Sequence, residues 1–374
     1  MDKKILITGS HFTPAVAVIE QFKKYPDVKI VYVGRKNTQE GDSSKSPESQ
    51  IIPKLGVKFI PIITGRLQRS LSIYTIPSLF KVPVGLIQAL YIILTEKPDV
   101  TLSFGGYVAV PIVIASWLFS IPILIHEQTL VSGLANRISA VFADKVALSF
   151  KSNQINGKQI ITGNPLRSIV KGNESKLGGY GEIFRLAGKE KLPVILITGG
   201  NQGSRIINKT VEECLNKLTK IACVIHVTGE NKFKDFERLK GKEGERYLVR
   251  KWIGQEYGTI LKKVDFVISR AGINTLTELA YIGKPVLVIP FPYLYGDEQN
   301  KNAKYFENVG LVKILPQSKL SGSSLVENIK LLLKNLHKLK QKAKNARKVL
   351  TGDGAQRLVL ETMLLLLGYE MEKR

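Results

Sequence analysis

Ser269-Arg-Ala-Gly-Ile-Asn-Thr-Leu-Thr-Glu-Leu-Ala280, then Gly283-Lys-Pro-Val-Leu-Val-Ile-Pro-Phe-Pro292, then Gly296-Asp-Glu-Gln-Asn-Lys-Asn-Ala303 is the stretch that decides the fold. It is preceded by Asp265-Phe-Val-Ile, a short apolar run with the length of a buried strand. Gly272 supplies a turn, and Thr275 to Tyr281 opens a helix with Glu278 in its first turns. Val286-Leu-Val-Ile is a second apolar strand, reached by a right-handed crossover. This pattern is one unit of a parallel sheet with polar residues at the carboxyl edge of its strands, where such sheets hold their ligands. A helix N-terminus at that edge offers free N–H groups to phosphate. Glu278 suits the opposite task, accepting hydrogen bonds from a neutral polyol such as a ribose. The alternative is an ordinary strand–helix–strand unit with a solvated glutamate.

The same alternation extends in both directions. Toward the C-terminus lies a strand at Val312; toward the N-terminus lie Val194-Ile-Leu-Ile-Thr-Gly-Gly, Ala222-Cys-Val-Ile-His-Val-Thr-Gly and Tyr247-Leu-Val-Arg, with helices between. An earlier set begins at Ile5-Leu-Ile-Thr-Gly and continues through Val28-Lys-Ile-Val-Tyr-Val, Val57-Lys-Phe-Ile, Val100-Thr-Leu-Ser, Ile121-Pro-Ile-Leu-Ile-His, Lys145-Val-Ala-Leu and Gln159-Ile-Ile. Between the two sets, Lys171 to Lys191 is rich in glycine and charge and reads as a linker. The expected fold is therefore α/β, with two doubly wound Rossmann-like domains. Residues 1–170 form the first, 171–350 the second, and 351–374 a C-terminal helix that packs back on the first. In the first domain, Pro77 and Pro83 interrupt the apolar run from Ile76 to Leu94, which reads as an apolar loop followed by a core helix from Val84 to Thr95.

The chain has 374 residues and a formal charge of +24. Such a balance favours anionic partners, whether nucleic acid, an anionic membrane surface or phosphorylated substrates, or else reflects a generally basic proteome. No nucleic-acid-binding motif accompanies the charge. Cys214 and Cys223 are the two cysteines, on a helix and a strand; they form no disulfide framework and fit a reducing compartment. The apolar run after Met1-Asp-Lys-Lys is too short for a signal peptide. There is no paired histidine at helical spacing, no Asp-x-Asp, and no nucleophile-elbow serine.

Five strand ends carry chemistry. Thr8-Gly-Ser-His11 follows the first strand; N–H groups around Gly9 and Ser10 can cradle an anion, and His11 can serve as a general base on a hydroxyl, or simply cap the next helix. Gly199-Gly-Asn-Gln-Gly-Ser-Arg205 joins a strand to a helix but has neither the dinucleotide glycine spacing nor the Lys-Ser/Thr ending of the ATP loop, which points to another nucleotide class. Arg167, in Gly163-Asn-Pro-Leu-Arg, can fork onto phosphate oxygens or bridge the domains. Gly105-Gly-Tyr107 and His126-Glu-Gln-Thr129 complete a ring of polar strand ends.

Taken in order, Thr8-Gly-Ser-His, Gly105-Gly-Tyr-Val, His126-Glu-Gln, Gly163-Asn-Pro-Leu-Arg, Gly199-Gly-Asn-Gln-Gly-Ser-Arg, Ser269-Arg-Ala-Gly and Asp297-Glu-Gln-x-x-Asn-Ala resemble the MurG family. Its members are the peptidoglycan N-acetylglucosaminyltransferases that turn lipid I into lipid II. The resemblance covers nearly the whole chain. It implies a B-type glycosyltransferase fold, with two domains facing across a cleft, inversion at the anomeric carbon, and neither a cofactor nor a nucleotide-bound metal. The implied partners are UDP-N-acetylglucosamine, lipid I (an undecaprenyl-diphospho-muramyl peptide) and the anionic inner-membrane surface, with no nucleic acid. The implied location is the cytoplasmic face of the cell membrane, as a peripheral protein.

Carried over by position, the resemblance gives the acceptor side Thr8, Gly9, Ser10, Glu127, Gln128 and Thr129, with His11 as base. It gives the donor side Arg167, Asn201, Gln202 and Gly203 at the diphosphate, and Ile253 near the uracil. Ile273, Asn274, Thr275, Leu276, Thr277 and Glu278 form the donor helix, with Glu278 on the ribose, and Gln299 meets the sugar. The chain departs from the family pattern at Ser10, where a second glycine is usual, at Thr129 (usually Asn), at Asn201 (usually Ser) and at Ala271 (often Ser).

An acceptor held in a bilayer requires a docking surface. Ile73, Tyr74, Ile76, Leu79 and Phe80, beside Arg66, Arg69 and Lys81, have the composition of an interfacial wedge, with Trp117-Leu-Phe119 a second apolar group; the alternative is that they fill the core. Three rival functions remain: a related transferase acting on another lipid, a UDP-sugar epimerase of similar fold, and a non-catalytic binder of nucleic acid or membrane.

Overall fold

The computed structural model describes residues 3–37, 45–65, 75–151, 159–172, 176–200, 203–231, 233–293, 295–350 and 353–372, with side chains at 75–80, 295, 370 and 372 left aside. The chain divides into two compact units, Met1–Arg167 with Thr351–Arg374, and Ser168–Leu350.

In the first unit the strands are β1 (Lys3–Thr8), β2 (Val28–Gly34), β3 (Lys58–Pro61), β4 (Val100–Ser103), β5 (Ile123–Glu127), β6 (Lys145–Leu148) and β7 (Gln159–Ile161). They pair in the order β3-β2-β1-β4-β5-β6-β7, and every pairing is parallel. The chain winds outward from β1 to β3, then returns to place β4 on the other side of β1, with Thr8 beside Ser103. That reversal is a topological switch point, where the loops after β1 and β4 part and leave a crevice at the carboxyl edge. Purely apolar strands are required because helices cover both faces: Ile5, Leu6, Ile7, Leu102 and Leu124 have no exposed surface. The C-terminal helix Gly354–Glu372 contributes Ala355, Leu358, Val359 and Leu366 to the core of this unit, against Ile19 and Phe22 of the helix Phe12–Phe22.

The second unit repeats the design with β8 (Val194–Thr198), β9 (Cys223–Val227), β10 (Tyr247–Arg250), β11 (Phe266–Ser269), β12 (Val286–Val288) and β13 (Val312–Ile314). Their order is β10-β9-β8-β11-β12-β13, again all parallel, and Ser269 pairs with Thr198 at the switch point between β8 and β11. Two α/β units built on parallel sheets make this a B-type glycosyltransferase fold.

Two local expectations are corrected. A helix occupies Thr75–Glu96 without a break and carries Pro83 inside it. Proline forfeits one backbone hydrogen bond there, and the rest of this long helix continues through it. Within Lys171–Lys191, read as linker, a helix runs over Gly181–Glu190. Tyr180, Ile183 and Ala187, spaced three and four apart, are buried beneath a surface of charge. That spacing is a helical stripe, masked in the sequence by the glycine and charge around it. Among the described residues no helix is long and apolar enough to cross a membrane.

Candidate active site

At the switch point of the first unit, the loop after β1 is drawn against the loop after β4. The Ser10 N–H donates to the Gly105 carbonyl at 2.8 Å, the Phe104 N–H donates to the Thr8 carbonyl at 2.7 Å, and the buried Tyr32 hydroxyl donates to the Gly9 carbonyl at 2.9 Å. Ser10 projects over Gly106, where a Cβ would stand 2.2 Å from its Oγ. The side chain that departs from the family pattern therefore occupies space that only a glycine opposite it leaves open.

His11 sits at the N-cap of the helix Phe12–Phe22, but its imidazole does not cap it. Burial first, and the Arg35 cation second, lower its pKa to about 4. The ring is therefore neutral at pH 7 and able to accept a proton. Arg35, beyond the end of β2, is held by Nε–Oε1 contact of 2.9 Å to Glu48, whose side chain is buried, and has the Tyr107 hydroxyl beside it. His126, at the end of β5, is also neutral: burial, with His11 facing it, holds its pKa at about 3, and its Nε2 lies 3.0 Å from Ser149 Oγ.

Glu127, Gln128 and Thr129 are all buried. The Glu127 carboxylate is engaged by its own surroundings: Oε1 accepts from the Thr129 N–H at 2.9 Å and lies 2.6 Å from Thr129 Oγ1, while Oε2 accepts from Asn136 Nδ2 at 2.8 Å. Burial raises its pKa, and these donors hold it back. Glu127 is thus the clasp of the loop after β5. Asn136, which sequence reasoning missed, ties that loop to β4: a Cβ on Gly105 would stand 2.2 Å from Asn136 Oδ1. Thr8 Oγ1, Ser10 Oγ, Gln128 Oε1 and Asn136 Oδ1 are buried with no hydrogen-bond partner among the described residues. Unsatisfied polar atoms are rare in folded proteins, and these four gather around the loops that follow β1, β4 and β5. Arg167 lies beyond β7 as the last residue of this unit.

In the second unit the glycine-rich turn after β8 leads into the helix Arg205–Leu218. Asn201 and Gln202 lie outside the described residues. Gly203, at φ 71°, passes so close to β9 that a Cβ would stand 1.8 Å from the Thr228 carbonyl oxygen. Only glycine fits this left-handed, crowded position. Across the switch point, Arg270 reaches Ser204 at the N-cap of that helix, Nη2 to Oγ at 2.9 Å.

The helix Ile273–Ile282 divides the candidate residues 273–278 into two groups. Asn274 and Thr275 are partly exposed at its N-terminus, whereas Ile273, Leu276 and Thr277 are buried, and the Thr277 hydroxyl donates back to the Ile273 carbonyl at 2.7 Å. Leu276 and Thr277 thus support the helix without presenting side chains at the edge. Glu278 is buried under Tyr257, whose hydroxyl donates to Oε2 at 3.2 Å. Ile253, in the loop after β10, is partly exposed. Gln299 uses its carbonyl oxygen to accept from the Phe291 N–H at 2.8 Å and the Ala271 N–H at 3.3 Å, so its remaining polar end is the amide donor. Asn302 fixes the same turn by donating to the Ala271 carbonyl at 3.1 Å.

Two glycine-lined cradles, each at the switch point of a parallel sheet, have counterparts among known proteins. Residues 8–148 match the glycosyltransferase family 28 N-terminal domain, and residues 194–358 its C-terminal domain. The chain belongs to glycosyltransferase family 28. Within family 28, it is 35% identical over 343 residues to a Clostridium botulinum UDP-N-acetylglucosamine--N-acetylmuramyl-(pentapeptide) pyrophosphoryl-undecaprenol N-acetylglucosamine transferase, covering 89% of this chain and 92% of that one. A Clostridium tetani protein of the same name is 32% identical, with 92% and 94% covered. The crystal structure of Acinetobacter baumannii MurG shares the fold at a TM-score of 0.70 and 24% identity, covering 97% of this chain and 99% of that one. A Listeria monocytogenes protein described as a UDP-N-acetylglucosamine 2-epimerase shares it at a TM-score of 0.68 but 15% identity, covering 100% and 98%. At that identity the likeness extends to the fold alone, so the epimerase reading loses ground to family 28.

Proposed function

We infer that this chain is an inverting transferase that moves N-acetylglucosamine from UDP-N-acetylglucosamine to the muramyl C4 hydroxyl of lipid I, giving lipid II. The observation that carries the reading is the cradle on the second unit. There a turn that tolerates only glycine at Gly203, an uncapped helix N-terminus and the Arg270 guanidinium converge at one sheet edge, with the buried Glu278 carboxylate on the helix that follows Arg270. That combination suits a nucleoside diphosphate, with N–H groups for the phosphates, a positive charge at the same edge and a carboxylate for the ribose. The named relatives supply the sugar and the acceptor.

In this mechanism His11, neutral and uncommitted to capping, takes the proton of the attacking hydroxyl. The new bond forms at the anomeric carbon on the face opposite the departing UDP, which inverts that centre. Thr8, Ser10 and Gln128 offer the acceptor their unpartnered oxygens, while Glu127, Thr129 and Asn136 hold the loop in shape. Donor-loop N–H groups and Arg167 take the charge that builds on the diphosphate. Glu278 takes the ribose hydroxyls, Ile253 flanks the uracil, and Gln299 donates to the sugar.

The enzyme works as a peripheral protein on the cytoplasmic face of the cell membrane. Supporting this, the helix Thr75–Glu96 turns Val84, Ile87, Tyr91 and Leu94 outward along one stripe, with Ile87 67% and Tyr91 68% exposed. Trp117, Leu118 and Phe119 are exposed at the end of the helix packed beside it. Leu134, Arg137 and Val141 line an exposed face of the next helix. Apolar side chains with flanking cations are what interfacial binding to an anionic leaflet needs. Of the wedge read from the sequence, residues 66–74 and the side chains of 75–80 lie outside the described structure.

Incubation of the purified protein with radiolabelled UDP-N-acetylglucosamine and a lipid I analogue tests the function directly. Label should pass to the analogue. Transfer to diacylglycerol in its place would support the rival lipid transferase, and release of N-acetylmannosamine would support the epimerase.

A further inference from the structure

Arg270 lies just beyond β11 and is half-buried, yet among the described residues it forms no ion pair. Nη1 donates to the Ile289 carbonyl at 2.9 Å, Nη2 donates to Ser204 Oγ at 2.9 Å, and the guanidinium stands 5.4 Å from the centre of the Phe291 ring. Burial lowers its pKa to about 10, so it still carries a full charge at pH 7. A cation withdrawn from water with no carboxylate beside it is costly. Such a group gains from an anion that arrives with a ligand.

Ser204 shows where that anion is met. It is the N-cap of the helix Arg205–Leu218 and only 8% exposed, but its hydroxyl does not cap the helix. A serine at this position ordinarily accepts from an N–H of the first turn. Here Oγ accepts from Arg270 instead. A hydroxyl that has accepted still has one proton to give, and no partner among the described residues takes it. The first-turn N–H groups remain uncapped beside it. Ser269 and Thr198 are register partners, so the strand carrying Arg270 and the strand leading to Ser204 are neighbours, and the pair is fixed by the sheet.

We propose that Ser204 is a catalytic residue that donates a hydrogen bond to the β-phosphate oxygen released from the sugar, and that Arg270 is the positioning residue that aims it. This rests on the donor-site reading above. In the step concerned, the acceptor oxygen forms its bond to the anomeric carbon as the bond from that carbon to the β-phosphate oxygen breaks. The bonding electron pair goes to the phosphate oxygen, and the acceptor proton goes to the base. Ser204 keeps its proton throughout. Because charge on that oxygen appears only as the bond breaks, the contact strengthens toward the transition state and persists in the UDP product.

The test uses the full-length enzyme with UDP-N-acetylglucosamine and a lipid I analogue. Ser204→Ala should lower kcat by about tenfold to a hundredfold, the worth of one hydrogen bond to a charged oxygen, leave the KM for UDP-N-acetylglucosamine within about threefold, and weaken UDP binding by a factor close to the loss in kcat. Arg270→Gln should match it, Arg270→Lys should recover part of the rate, and the double variant Ser204→Ala/Arg270→Gln should be no slower than Arg270→Gln, because the two act as a unit. Ser204→Ala turning over at the parent rate, or a double variant whose loss is the product of the single losses, would overturn the proposal. Ser204→Ala serves where Arg270→Gln fails to fold. If the parent enzyme binds UDP but transfers no sugar to the analogue, the functional reading fails, and the UDP affinity of Ser204→Ala still decides whether the pair meets the diphosphate.

Discussion

Replacing Asn136 with alanine should destabilise the first unit by about 1–2.5 kcal/mol, because the hydrogen bond it removes ends on a buried carboxylate. Asn136 Nδ2 donates to Glu127 Oε2 at 2.8 Å, and Glu127 is 1% exposed. A hydrogen bond to a charged group is worth about 1.5–3 kcal/mol, and the small void left by the amide adds a fraction more. Loss of the unpartnered Oδ1 returns part of the cost, about 1 kcal/mol. The deficit should also depend on pH with a definite sign. Burial already raises the Glu127 pKa, and removing a donor raises it further. A carboxyl whose folded pKa lies above its unfolded value destabilises the fold when ionised, so the Asn136→Ala penalty should shrink as pH falls. Trp117 and Trp252, the two tryptophans, lie one in each unit. In a Trp252→Phe background, Trp117, packed 5.2 Å from Phe142, reports urea unfolding of the first unit. With a slope of about 2 kcal/mol per molar urea, the midpoint should move by about 0.5–1.2 M. A shift below about 0.3 M, or a penalty that is the same at pH 5 and pH 8, would refute the clasp.

Three further outcomes are expected. His11→Ala should cost about 10²–10⁴-fold in kcat with UDP affinity unchanged; since burial and Arg35 hold the His11 pKa at about 4, the base is deprotonated above that value and the acid limb of kcat/KM should fall near pH 4, so a His11-dependent limb at pH 6–7 would show an exposed imidazole. Glu278→Ala should weaken UDP binding at least about tenfold by calorimetry, the loss of one hydrogen bond to a charged acceptor, whereas unchanged affinity removes Glu278 from the ribose. Ile87→Ser with Tyr91→Ser should release the protein from anionic vesicles about tenfold more readily while UDP binding holds, and undiminished sedimentation with the vesicles would place the docking surface elsewhere.

The strands were the most legible part of the sequence. Segments such as Val194-Ile-Leu-Ile and Phe266-Val-Ile are buried on both faces and end at glycine or a polar residue, so apolar run length and the residue that stops it carry the information. The helices at Thr75–Glu96 and Gly181–Glu190 were less legible, each for a local reason. Proline read as a break where the surrounding helix tolerates one missing bond, and charge hid a three-residue apolar stripe. In the candidate site, His11 and Gly203 stand out in the sequence because each lies in a turn that ends an apolar strand. Asn136, Arg35, Tyr257 and Asn302 do not, because each acts through a partner distant in sequence: Asn136 through Glu127 and Gly105, Arg35 through Glu48, Tyr257 through Glu278, Asn302 through Ala271. Neither spacing nor propensity encodes such pairs.

The departures from the family pattern follow the same logic. Considered alone, Ser10 in a loop where glycine is usual should narrow the cradle. Its Oγ instead occupies the space over Gly106 that a side chain there would have filled, and its backbone N–H still reaches Gly105. The loop keeps its course and gains a hydroxyl with no partner among the described residues. Thr129, shorter than the usual Asn, closes on Glu127 through both its N–H and its hydroxyl, so it completes the clasp from within the loop. Each substitution is accommodated by a neighbour on the acceptor side, with the β1 and β5 loops holding their hydrogen bonds. The consequence is specific: Ser10→Gly should leave UDP binding untouched and alter only the acceptor KM, because what it removes is one hydroxymethyl group at the carboxyl edge of the first unit.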